Sequence, residues 1–190
     1  MIRGKLVYDT LCRVEALPAP RCAAILERAG QKTVSSIREA RLPSWVPVEL
    51  DVKLSCAICE VLGAEGCRLF FLETMTKVIE SPLMRTFVNG AVGLFGLNPD
   101  KLVPWIAKSW PLIYREVGVV SSRIVGLHSS DLVWSELPAS IAHFPDYLVG
   151  VEGSLQSVFI LTGVTGKVSL DFSATSRTAR FGLEWTPSKP

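Results

Sequence analysis

The sequence predicts an α+β fold. A helical N-terminal half of about five helices should be followed by a four-stranded antiparallel sheet, in the order strand–strand–helix–strand–strand. Three observations carry this. Apolar residues recur at helical spacing from Leu17 to Val117. Near residue 118 the chain turns to β-branched, partly alternating segments. Between the two strand pairs lies one amphipathic stretch, Pro145 to Thr162.

Leu17 to Gly30 reads as a helix. Pro18 and Pro20 suit its first turn, Ala23, Ile25, Leu26 and Ala29 share a face, and Gly30 suits its end. Gln31 to Pro43 is largely polar and reads as connecting structure. In the second helix, Trp45 to Leu62, Val48, Val52 and Cys56 fall at i, i+4 and i+8. Gly63 and Gly66 break the pattern before a third, Cys67 to Ile79, and Ser81-Pro82 precedes a fourth, Leu83 to Phe95. Asn98-Pro99 marks the start of a fifth, Lys101 to Val117, bent or interrupted at Pro104 and Pro111.

Val119–Leu127 and Asp131–Leu137 read as a hairpin joined at His128-Ser-Ser130. The helix Pro145–Thr162 presents Tyr147, Val151, Leu155, Val158 and Phe159 on one face. Gly150, Gly153, Ser154 and Ser157 make a neighbouring face of small residues, which suits close approach of another backbone and is a candidate interface. Two strands follow. Val168, Leu170 and Phe172 alternate with polar residues in the first, and Ala179, Phe181, Leu183 and Trp185 in the second. Residues 1–186 read as one domain and 187–190 as a tail.

Composition excludes several function classes. The net charge of +2 comes from scattered residues, with no adjacent basic pair, so neither nucleic acid nor an electrostatic membrane anchor is expected. No window approaches about 20 uncharged apolar residues, so no transmembrane segment is expected. The N-terminus lacks a signal-peptide pattern, which points to the cytoplasm. Mean hydropathy is high, at +0.33. It calls for a large interior, a lined cavity or an oligomer interface.

No catalytic constellation is visible and no catalytic residue is assigned. The phosphate-binding glycine loops, the nucleophile elbow and the zinc-protease helix motif are all absent. Ser130, His128 and Asp131 are adjacent in one turn, whereas triad members converge from separated segments. Cys56 and Cys59 have C-x-x-C spacing and Cys67 follows, but no histidine lies nearby to complete a zinc site, so buried thiols and no metal are expected. Aromatic and Met residues are more suggestive. Phe70, Phe71, Met75, Phe87 and Trp105, with Trp134 from the second strand, are candidates to line a pocket for an apolar ligand.

Several short segments carry a resemblance: Met1-Ile-Arg-Gly-Lys-Leu6, Ile25-Leu-Glu-Arg-Ala-Gly30, Trp45-Val-Pro47, Val61-Leu-Gly63 and Phe181-Gly-Leu-Glu-Trp185. On these the chain resembles an uncharacterised paralogous family found mainly in myxobacteria. More distantly, it is similar to haem nitric-oxide/oxygen-binding (H-NOX-like) domains and to 4-vinyl-reductase-type and TRAPP-type ligand-binding domains. The resemblance implies small molecules, haem or acyl chains held between helices and sheet. It also implies an axial histidine on the helix corresponding to Lys101–Val117, where this chain has Trp105 and Trp110 instead. The Tyr-x-Ser-x-Arg haem clamp is reduced to Ser121-Ser-Arg123. No haem or other cofactor is therefore expected.

Two functions follow. One is a non-enzymatic sensor or regulatory domain that binds an apolar small molecule or lipid between helices and sheet. The other is a protein-interaction or scaffold module, in one form a homodimer. An enzyme built on Cys56, Cys59 and Cys67 ranks behind both.

Overall fold

The computed structural model describes residues 1–40, 44–80 and 98–186, and every structural statement below concerns those residues. The helix expected at Leu83–Phe95, the pocket candidate Phe87 and the tail lie outside them. A short strand β1 (Ile2–Arg3) leads into α1 (Gly4–Glu15), α2 (Ala19–Ala29) and α3 (Gln31–Glu39). Strand β2 (Trp45–Val46) then pairs antiparallel with β1, Ile2 opposite Val46.

Three expectations need correction here. Helix α1 was not foreseen, although Val7, Leu11 and Val14 bury one stripe of it. The segment expected to be connecting structure is α3, which buries Thr33, Val34 and Ile37. Gly30 explains the junction: its φ of 83° ends α2, its N–H donates to Leu26 and Glu27 carbonyls, and the next helix starts at once. Trp45 and Val46 are strand rather than helix, because the helix starts only after Pro47.

Helix α4 (Val48–Glu80) is kinked at Gly63, whose φ of 71° is non-helical. Gly66, by contrast, stays within the helix. Helix α5 (Pro99–Ser109) begins as expected, with the Asn98 side chain accepting from the Asp100 N–H at 3.0 Å. It stops well short of Val117. A 3-10 turn, Trp110–Leu112, replaces its continuation, because Pro111 has no N–H to donate.

Strands β3 (Val119–Gly126), β4 (Ser129–Ser135), β5 (Thr165–Ser173) and β6 (Thr178–Thr186) form an antiparallel sheet in the order β3-β4-β6-β5. The short helix α6 (Ala139–Ala142) and the long helix α7 (Asp146–Thr162) lie between the two hairpins in sequence. The α+β class and the strand–strand–helix–strand–strand order are as expected. Leu132, Trp134, Ala179, Phe181 and Leu183 point inward and are fully buried, as period-2 alternation requires. Gln156 on α7 fixes the helix to edge strand β5: its amide donates to the Gly166 carbonyl at 2.8 Å and its oxygen accepts from the Val168 N–H at 3.0 Å.

Helix α7 also lies against α4. At Gly153 an added Cβ would come 2.4 Å from the Arg68 carbonyl oxygen, and at Gly150 it would come 2.8 Å from the Phe71 ring. Arg68 donates to the buried Glu152 carboxylate at 2.8 Å across the same contact. The small-residue face thus meets a backbone of its own chain. Gly153→Ala should force the two helices apart, because backbone cannot yield as a side chain does. The expected loss is about 1–3 kcal/mol of unfolding free energy in urea.

Candidate functional site

The site with chemical potential lies where α4, α7 and the turn after α5 meet the sheet. Asp51, in the first turn of α4, is only 7% exposed. Tyr147, in the first turn of α7, donates its hydroxyl to the Asp51 carboxylate at 2.7 Å. The Tyr114 hydroxyl lies 2.8 Å from that of Tyr147. With Asp51 ionised the direction of donation is fixed, since Tyr147 gives its proton to the carboxylate and Tyr114 must then donate to Tyr147.

Aromatic rings wall this relay. Trp110 stacks on Tyr114 with centroids 4.9 Å apart, and Trp134 meets Trp110 edge-on at 5.0 Å. Trp134 also lies 5.3 Å from Tyr114 and 6.4 Å from Tyr147. Its indole N–H donates to the Val117 carbonyl at 2.6 Å. The Trp110 indole N–H is buried without a partner. Burial pushes the Asp51 carboxyl up to about 6, although the Tyr147 hydrogen bond opposes the shift. Burial and the nearby Asp51 raise both tyrosines above their ordinary range. Among the described residues no lysine or arginine forms an ion pair with Asp51.

Reading the sequence singled out Trp134 of this group as a pocket residue, placed Tyr147 only on the apolar face of its helix, and missed the link of Tyr147 to Asp51 and Tyr114. A signal existed. Val48, Asp51, Val52, Ser55 and Cys56 fall at i, i+3, i+4, i+7 and i+8, which puts a carboxylate on the apolar stripe of α4.

The other pocket candidates sit elsewhere. Phe70 and Phe71 meet edge-on at 5.3 Å and belong to the core that α4 makes with α1, α2 and α3. Trp134 belongs to the sheet-side core. Met75 and Trp105 are half-buried on α4 and α5. Of the interface candidates, Gly150, Gly153 and Ser157 are buried and Ser154 is half-buried.

The remaining groups stay apart chemically. Asp131 is held by Arg123 at 2.6 Å and Arg180 at 3.6 Å, while Ser130 points to the opposite face of β4. Cys56, Cys59 and Cys67 are buried, and burial pushes Cys56 up to about 12 and raises the other two. Such thiols are poor nucleophiles. A maleimide reagent should therefore label Cys12 and Cys22 in the folded protein and all five cysteines only after unfolding, as read by mass spectrometry. Among the described residues no cluster of three or more His, Cys, Asp or Glu is arranged to hold a metal, and no helix is long and apolar enough to cross a membrane.

The architecture just described is that of an H-NOX-like fold. The chain is similar to the crystal structure of the Fe(II) unliganded H-NOX protein from K. algicida, with 10% identity, 98% of each chain covered and a TM-score of 0.64. It is similar to the H-NOX protein from S. oneidensis in the Fe(II)NO state, with 12% identity, 98% of this chain and 100% of that one covered and a TM-score of 0.63. A weaker likeness, TM-score 0.45 and 8% identity, spans 65% of this chain and 80% of a trafficking protein particle complex subunit 3 from Naegleria fowleri. No family model matches the sequence, and no curated protein matches it significantly.

The residues present do not match a haem held by histidine. Helix α5 and the turn after it contain no histidine. His128 sits in the β3–β4 turn beside Trp185, and His143 is exposed before α7. The turn after α5 instead sends Trp110 and Tyr114 into contact with Trp134 on the sheet.

Proposed function

We propose that residues 1–186 form one non-enzymatic sensor or regulatory domain that binds an apolar small molecule or lipid between helices and sheet, without haem. One observation carries the reading. The junction of helices and sheet is a packed aromatic cluster of Trp110, Tyr114, Trp134 and Tyr147, with a buried, unpartnered indole N–H among its groups. Native structures rarely leave such a donor unsatisfied, and at a binding surface a ligand oxygen completes it. Among the described residues no set of nucleophile, base and oxyanion donors converges there, which supports binding over catalysis.

Native mass spectrometry of freshly purified protein tests this, together with titration of an environment-sensitive apolar dye followed by tryptophan emission. A bound mass, or saturable dye binding that quenches emission, is expected. A bare mass with no saturable binding would overturn the reading.

A second reading has its own support. Strand β3 is a sheet edge and exposes Val119, Ile124 and Val125, and the turn beyond it exposes Leu127 at 83%. An apolar edge strand is a surface on which a partner strand can add. Light scattering that shows a dimer, abolished by Val125→Lys, is the result this interaction reading expects.

A further inference from the structure

We infer that the cluster around Asp51 recognises an organic ammonium group carrying an oxygen acceptor, such as a hydroxyalkyl ammonium head. The inference rests on the binding reading above and names the chemistry of that same site. Three features point to a cation. First, Asp51 is a buried carboxylate with no cationic partner among the described residues, and a buried charge is ordinarily paired. Asp51 lies in the first turn of α4, whose positive end compensates it in part. Secondly, the Trp110 and Trp134 rings wall the relay, and Tyr114 and Tyr147 within it are themselves aromatic. Ring faces attract ammonium groups through their quadrupole, most strongly when the ion is desolvated. Thirdly, the Trp110 N–H is buried and lacks an acceptor, which a hydroxyl or carbonyl oxygen beside the ammonium would supply.

Among the described residues, the charged and titratable groups that face Asp51 are Tyr147 from α7 and Tyr114 from the turn after α5, both held neutral by burial. Neither competes for a cation. The rings touch, so admitting the head parts Trp110 from Tyr114 and Trp134. Ring-to-ring contacts are then exchanged for ring-to-cation contacts, and a carboxylate with no cationic side-chain partner among the described residues gains a counter-ion.

Choline and dimethylbutanol, its isostere with the quaternary nitrogen replaced by carbon, differ only in charge. Titration calorimetry at pH 8 should show choline binding at least tenfold more tightly than the isostere. The preference should disappear in Asp51→Asn, which keeps an acceptor for Tyr147, and in the wild type at pH 4.5. Tyr114→Leu should weaken choline more than the isostere, and circular dichroism will show whether each variant is folded. Equal binding of the two probes, choline preference that survives Asp51→Asn, or no choline binding would each overturn the inference. If the apolar dye still binds in those cases, the broader proposal stands; if nothing binds, both fall.

Discussion

Trp134→Ala should be the most damaging single substitution in the sheet. The side chain is 0% exposed, and it touches Trp110, Tyr114 and Tyr147. Truncation removes a large buried surface and leaves a cavity, a combination that costs about 3–5 kcal/mol. It also orphans the Val117 carbonyl, which accepts from the indole at 2.6 Å. For a chain of this size the melting temperature should fall by roughly 10 °C. Trp134→Phe keeps most of the ring contacts and loses the hydrogen bond, so it should fall between. A loss below about 1 kcal/mol for the alanine variant would mean that the sheet and helices do not meet through this ring.

The sheet was legible in the sequence for a simple reason. A strand with one buried face must alternate, and Val168, Leu170 and Phe172 opposite Ala179, Phe181 and Leu183 do so without exception. Helix α3 was illegible because its buried stripe is only Thr33, Val34 and Ile37 in nine mostly polar residues. Its helicity comes from packing against α1, α2 and α4 rather than from a strong pattern of its own. Leu17–Gly30 was read correctly because its prolines and Gly30 sit where a helix begins and ends.

The candidate site was hidden by distance along the chain. Asp51 and Tyr147 are 96 residues apart, and Tyr114 reaches Tyr147 across 33. No local spacing rule connects them. Only the packing of α7 along α4 brings two helix starts together. The pocket candidates were chosen for ring content, and ring content cannot say which of two cores a ring enters. Phe70 and Phe71 entered the helical one and Trp134 the other.

The pH dependence of stability should separate a titrating Asp51 from an inert one. Burial raises its folded pKa to about 6 from an ordinary value of 3.8. The fold therefore favours the protonated acid. Its stabilising contribution is full below the unfolded pKa and is lost as pH rises through about 6. A shift of roughly two units corresponds to about 3 kcal/mol. The wild type should thus lose stability between pH 4 and pH 7 relative to Asp51→Asn, by about the amount that the shift corresponds to. Urea midpoints measured for both proteins across that range give the difference directly, because every other titrating group is common to them. A difference that does not vary with pH would show that Asp51 keeps one protonation state throughout. Choline at pH 8 should stabilise the wild type alone, since a ligand bound only to the folded state adds to its stability by mass action. Equal stabilisation of both proteins would place the bound cation away from Asp51.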